Sequence, residues 1–108
     1  MRQTLSHHNL RVYHVSRKLA ALTHKHPPHD TELRNQARRV AFSVVLNIAE
    51  GGGLDGRAAK RHFQIAKASA LETVAAFELA ADLGETVQLD AVVELATAVA
   101  AMLTKLIR

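Results

Sequence analysis

Cysteine and tryptophan are both absent from this sequence of 108 residues. The absence of cysteine excludes disulfide bonds and thiolate metal sites, and it favours an intracellular compartment. No apolar run reaches the length of a transmembrane helix, and residues 1–10 are too polar for a signal-peptide core. With only two prolines and 48% hydrophobic residues, we expect one soluble, cytoplasmic, globular domain spanning residues 1–108.

Charge is distributed unevenly along the chain. Residues 1–67 hold twelve of the fourteen Lys and Arg and four of the ten acidic residues, a balance of +8. Residues 68–108 hold two basic and six acidic residues, a balance of −4, and all seven histidines lie in the first part. This asymmetry predicts a basic surface that attracts a polyanion or an acidic partner.

Apolar residues recur at steps of three and four in four segments, which predicts an all-α protein. Connections are predicted near residues 27–30, 51–55 and 84–88, where prolines or glycines interrupt the pattern. Four such helices predict an antiparallel up-and-down four-helix bundle, with an open helical array completed by a partner as the alternative. The predicted core positions are Val12, Val15, Leu19 and Leu22; Leu33, Ala37, Val40, Val44 and Ile48; Ala59, Phe63, Ala66, Ala70, Val74, Phe77 and Ala81; and Leu89, Val92, Ala96, Val99, Leu103 and Leu106.

Capping residues support these helix limits. Asp30 and Asp55 precede the second and third helices and can serve as N-caps. Glycines at residues 51–53 are expected to end the second helix by adopting left-handed geometry, and Gly84 is expected to close the third.

The second helix has apolar residues on two opposite sides. Its core positions occupy one side, whereas Phe42, Val45 and Leu46 fall on the other. Because a four-helix bundle has a single interior, the second side predicts contact with another subunit. We therefore expect a homo-oligomer with these three residues at the subunit interface.

Ser43, Asn47 and Glu50 form a polar row between those two sides, at steps of four and three. A carboxylate in such a row can act as a general base, but no histidine or cysteine nucleophile arrangement shares it. We interpret the row as structural, with hydrogen bonds that fix the register of the facing helix, and we predict neither catalytic residues nor enzymatic activity. The candidate partners of the row are Ser69, Glu72 and Arg39.

The glycines of residues 51–56 match the spacing G-x-G-x-x-G, but they follow a helix rather than a strand and lack the lysine and Ser/Thr of a P-loop. Neither nucleotide motif is therefore predicted. Instead, the turn opens a helix that carries Arg57, Lys60 and Arg61, where backbone N–H groups and cations can bind phosphate. The alternative is a helix cap with solvated cations. The predicted nucleic-acid-binding residues are Arg57, Lys60, Arg61, Arg38 and Arg39.

Three histidines, His24, His26 and His29, surround the proline turn. Their separation by two prolines fits no helical metal-ligand spacing. We interpret them as exposed groups that add positive charge below neutral pH, and we expect no metal ion, cofactor or small-molecule substrate.

Several blocks between Leu33 and Glu72 match the pattern of a known family: Gln36, Arg38-Arg39, Ser43, Asn47-Ile48-Ala49-Glu50-Gly51, Lys60-Arg61, Phe63, Ala66, Ser69-Ala70 and Glu72. These blocks resemble the bacterial four-helix-bundle proteins named after the 23S ribosomal RNA intervening sequence. The resemblance implies an up-and-down bundle and a ring-like homopentamer, but it implies no biochemical activity. That family is distantly similar to the accessory subunit of diversity-generating retroelements, a basic pentamer that associates with nucleic acid and a reverse transcriptase, whose distinguishing motifs this chain lacks.

Two functions remain open on the sequence. The first is a non-enzymatic, homo-oligomeric module that binds RNA or DNA or associates with a ribonucleoprotein. The second is an interaction scaffold whose basic face binds an acidic protein.

Overall fold

The computed structural model describes residues 4–108, which fold into four α-helices preceded by one turn of 3-10 helix. The 3-10 helix spans Ser6–Asn9, and the α-helices are α1 (Arg11–Lys25), α2 (Thr31–Gly52), α3 (Gly56–Asp82) and α4 (Leu89–Ile107). Within this part of the chain there is no β-strand. The predicted all-α class is confirmed, and the connections fall close to the predicted positions.

The helices form a four-helix bundle in which each helix packs against two others. Helix α2 contacts α1 and α3, and α4 contacts the same two helices on the opposite side of the bundle. No contact joins α1 to α3 among the described residues, so these helices lie on a diagonal. Because the connections are short, sequence neighbours run antiparallel, as predicted.

The core follows the predicted faces with small corrections. Ala81 is exposed and Ala80 is buried in its place, because α3 continues its buried face three residues after Phe77 rather than four. Leu106, near the end of α4, is also exposed. The predicted core residues that are only partly buried are Val15, Leu22, Leu33, Val74 and Leu89.

The glycine run at the end of α2 does not have the predicted left-handed geometry. Gly51 and Gly52 belong to the helix, and Gly53 has a φ of −96°. Among the described residues, only Gly56 and Gly84 have positive φ, at 57° and 90°. The helix continues through Gly52, and the absence of side chains in its last turn allows other segments to approach closely.

Close packing explains why glycine occupies the last turn of α2. A Cβ atom on Gly51 would lie 2.7 Å from Cε1 of Phe63, and one on Gly52 would lie 3.0 Å from the backbone of His7. Phe63 belongs to the core cluster, so its ring has little freedom to move away. The two glycines therefore admit an aromatic ring and the N-terminal segment.

We expect Gly51→Ala to destabilise the protein although alanine favours helix by about 1 kcal/mol over glycine. Overpacking against Phe63 costs about 1–3 kcal/mol, so the free energy of unfolding should fall by up to about 2 kcal/mol in urea titrations. Gly53→Ala is the matched control, because its Cβ would have no contact closer than 3.7 Å. A Phe63→Leu background should reduce the cost of Gly51→Ala, and an equal cost in both backgrounds would contradict this explanation.

Capping at the start of α2, in the first connection, agrees with the prediction. Asp30 Oδ1 accepts a hydrogen bond from Leu33 N at 3.0 Å. The carboxylate of Glu85, in the connection between α3 and α4, accepts hydrogen bonds from the backbone N–H groups of His29 and Asp30. One side chain therefore joins two connections at the same end of the bundle.

The bundle contains no candidate membrane span within residues 4–108: no helix there combines the length and the apolar character needed to cross a bilayer.

Candidate nucleic-acid interface

Lys and Arg side chains from both halves of the sequence lie together at one end of the bundle. The antiparallel order places the start of α1, the end of α2, the start of α3 and the end of α4 together. His7 lies against Gly52, and Arg11 and Lys105 line one surface groove, which confirms that these segments meet. We call this region the basic end, defined by Arg11, Arg57, Lys60, Arg61, Lys105 and Arg108.

Lys105 and Arg108 are the two basic residues of residues 68–108. They therefore lie at the same end of the bundle as the basic residues at the start of α3. Four of the six acidic residues of residues 68–108 lie toward the other end of the bundle, near the end of α3 and the start of α4. The basic residues of the second half of the chain and most of its acidic residues thus lie at opposite ends of the bundle. The acidic residues concerned are Glu78, Asp82, Glu85 and Asp90.

The cations of the basic end have no carboxylate partners within the chain. Arg57, Lys60 and Arg61 are exposed on the first turns of α3. Across residues 4–108, the one pair of basic and acidic groups within 4.0 Å is His62 with Glu50, at 3.9 Å. The basic residues of this end therefore form no ion pair within residues 4–108, although Glu50 and Asp55 lie at the same end of the bundle.

The start of α3 is open to solvent. Asp55 occupies the N-cap position, but its side chain makes no capping hydrogen bond. Gly56 has positive φ, and a Cβ there would find nothing within 4 Å. The first backbone N–H groups of α3 therefore face solvent beside Arg57, an arrangement that favours anions.

Arg38 and Arg39 lie apart from the basic end. Arg39 is 13 residues from the end of α2, about 20 Å along the helix at 1.5 Å per residue. Arg38 Nη2 donates to the backbone oxygen of His24 at 3.0 Å, and Arg39 donates to Gln36 Oε1. The structure therefore does not group these arginines with the three basic residues of α3.

The polar row of α2 faces α3 and is hydrogen-bonded to it. Ser69 Oγ donates to Ser43 Oγ at 3.0 Å. Asn47 Nδ2 donates to the Ser43 backbone oxygen at 2.9 Å and to Ser43 Oγ at 3.1 Å. Of the three candidate partners from the sequence, Ser69 makes this contact between helices.

A histidine that the sequence analysis did not associate with the row contacts it in the structure. His62 Nδ1, on α3, lies 2.9 Å from Asn47 Oδ1 and 3.9 Å from Glu50 Oε2. Because Asn47 Nδ2 already donates, its Oδ1 accepts and His62 Nδ1 carries the hydrogen. His62 and Ser69 are seven residues apart, two helical turns, and this spacing is the signal that would have placed them on one face of α3.

The arrangement of the row does not resemble a nucleophile activated by a base. Among the described residues, no hydroxyl group is hydrogen-bonded to His62, and the Ser43 hydroxyl contacts Asn47 and Ser69 instead. A nucleophilic serine requires a hydrogen bond to its base. The geometry can therefore hold the register between α2 and α3, and it lacks the first contact that acyl-transfer chemistry requires.

The apolar residues of α2 that were predicted at a subunit interface border a groove between α1 and α2. Phe42 and Leu46 are exposed, and Val45 is half-buried. The groove has a volume of about 660 Å³. We call it the α1–α2 groove, defined by His14, Arg17, Lys18, Ala20, Ala21, Phe42, Val45 and Leu46.

The histidines near the proline turn are exposed, and one contacts the groove wall. The ring of His24 stacks on Phe42 with centroids 5.9 Å apart. Between residues 4 and 108, no three His, Cys, Asp or Glu side chains are grouped as a metal ion requires.

The sequence profile of the family described as 23S rRNA-intervening sequence protein matches residues 8–105. The chain belongs to this family. The match covers all four α-helices of the bundle except the last residues of α4. No curated protein matches the chain. The block from Asn47 to Gly51, which carries part of the resemblance, includes two residues of the polar row and the glycine that packs against Phe63.

Proposed function

We propose that this 23S rRNA-intervening sequence protein is a non-enzymatic, homo-oligomeric module that binds nucleic acid through its basic end. The observation that carries the proposal is the set of unpaired cations on the basic end. Lys and Arg that are not neutralised by their own chain attract phosphates and release counterions on binding. Arg57, Lys60 and Arg61 are the central contacts.

Oligomerisation is the second part of the proposal, and the exposed apolar side chains of the α1–α2 groove support it. Phe42 and Leu46 expose large apolar surface that a second subunit would cover. Each added subunit repeats the basic end, so contacts that are weak singly act together along one strand. This repetition favours a long polyanion over a small one, and by resemblance we propose a pentamer.

The chemistry of the proposed interface favours phosphate contacts over base recognition. The sequence has one tyrosine, three phenylalanines and no tryptophan, so aromatic stacking on bases contributes little. Binding should therefore depend weakly on sequence and strongly on salt. The second candidate, an acidic protein partner, is favoured by the same unpaired cations, so an experiment must separate the two.

Binding of fluorescently labelled single-stranded RNA and DNA of equal length, measured by anisotropy between about 50 and 200 mM salt, tests the proposal. We expect log affinity to fall linearly with log salt, with a slope of about −0.7 for each phosphate contact. Unlabelled polyglutamate is the competitor that separates the alternatives. If neither nucleic acid binds at about 50 mM salt, or if polyglutamate competes as well as RNA, an acidic protein partner is the better interpretation.

A further inference from the structure

The outer side of α3 carries an apolar strip that nothing in its own chain covers. Leu71 and Leu79 are 55% and 53% exposed, and they lie opposite the buried face that contains Ala70 and Phe77. Steps of three and four place these leucines on one side of the helix. We call this surface the α3 strip, defined by Ala68, Leu71, Ala75 and Leu79.

Acidic residues border the α3 strip. Glu72 and Glu78 project from α3 on either side of it, and Asp82 follows at its end. All three residues are exposed, and no Lys, Arg or His within residues 4–108 lies within 4.0 Å of their carboxylates. The strip is thus apolar along its centre and negatively charged at its edges.

The α1–α2 groove has the opposite character at its edges. Arg17 and Lys18 are exposed at its border, and neither has a carboxylate within 4.0 Å in the described chain. Small side chains, Ala20 and Ala21, form its α1 side and allow another helix to approach closely. Leu46 is 67% exposed on its α2 side. The groove is thus apolar along its centre and positively charged at its border.

The separation of the two exposed leucines on the strip is close to the length of the groove along α1. Leu71 and Leu79 are eight residues apart, about 12 Å along α3, and His14 and Ala21 are seven apart, about 10 Å along α1. Both surfaces combine exposed apolar area with charges that lack partners of the opposite sign. Because α1 and α3 lie on a diagonal of the bundle, the two surfaces cannot meet within one chain.

We infer that the α1–α2 groove of one protomer binds the α3 strip of a second copy of this chain. This inference rests on the homo-oligomer of the proposed function and assigns the contact that builds it. The contact joins two different surfaces, so each subunit offers one groove and one strip to its neighbours. Arg17 and Lys18 then meet the carboxylates of Glu72 and Glu78, which would account for the lack of ion-pair partners for these four side chains within residues 4–108.

Two variants with one defective surface each test this contact. Leu46→Glu places a carboxylate in the groove, and Leu79→Glu places one on the strip; both leucines are exposed, so the bundle should still fold. By light scattering at about 10 μM, each variant alone should have the mass of one chain, 11.8 kDa. Mixed in equal amounts, they should form a dimer and nothing larger, because one intact groove meets one intact strip.

Val93→Glu is the matched control, because Val93 is 37% exposed and lies on α4, outside both surfaces. It should keep the mass of the unmodified oligomer. Circular dichroism verifies that each variant retains its helices. An unmodified protein that is already a monomer would remove the oligomeric part of the proposed function. An oligomer that survives Leu79→Glu, or variants that do not combine when mixed, would overturn this contact and leave nucleic-acid binding intact.

Discussion

Replacing Arg57 and Arg61 together by alanine is expected to lower the affinity for single-stranded RNA by about 10- to 100-fold at 50 mM salt. Both arginines are exposed, and neither is paired with an acid, so each can neutralise one phosphate. The slope of log affinity against log salt should become shallower by about 0.7 for each phosphate that is no longer neutralised. The reduction in affinity should be nearly the same for unrelated RNA sequences, because phosphate contacts carry no sequence information.

The control for this variant removes the same charge from the opposite end of the bundle. Lys25, at the end of α1, and Arg34, in the first turns of α2, lie far from the basic end. Lys25→Ala/Arg34→Ala should change the affinity and the salt slope much less than Arg57→Ala/Arg61→Ala. Equal reductions from both pairs would mean that net charge, and not the basic end, governs binding.

Phe77→Ala is expected to produce the largest loss of stability of any substitution considered. Phe77 is fully buried in the core cluster, and several of its companions there are alanines, whose side chains cannot move into the vacated space. Truncation of a buried phenylalanine costs about 3–5 kcal/mol. A domain of this size is stable by about 5–15 kcal/mol, so much of the stability would be lost. Urea titrations monitored by circular dichroism measure the change.

Phe42→Ala is the matched control, because it removes the same ring from a position that is 44% exposed. Both substitutions are best compared in the Leu46→Glu background, where contacts between copies are expected to be absent. There, Phe42→Ala should cost less than about 1 kcal/mol, since surface substitutions usually have small effects. A cost similar to that of Phe77→Ala would mean that the outer side of α2 contributes to folding of the single chain.

The helices and most of the core were predictable because apolar periodicity reports directly on which side of a helix is buried. Leu19, Val44 and Leu103 are fully buried at positions that the periodicity marks. Helix ends were less predictable. Glycine at 51 and 52 signals a helix end by local preference, but the ring of Phe63 and the segment at His7 require glycine inside the helix. Such contacts join residues that are distant in sequence and leave no local pattern.

The candidate site was predictable in part for the same reason. Arg57, Lys60 and Arg61 stand close together in sequence, so the sequence alone groups them. Lys105 lies beside them only because α4 runs back, antiparallel to α3, to the same end of the bundle. Arg39 lies apart from them only because α2 is long and Arg39 is far from its end. Adjacency in space depends on topology as well as on composition.

The hydrogen bonds of Glu85 bear on how the chain folds. Three of the four helix pairs join helices that are neighbours in sequence through short connections, a low-contact-order topology that folds in microseconds to milliseconds. The bonds from Glu85 to His29 and Asp30 instead span 56 and 55 residues, and their formation requires closure of a long loop. We expect them to form late in folding, so Glu85→Gln should accelerate unfolding while leaving the folding rate nearly unchanged.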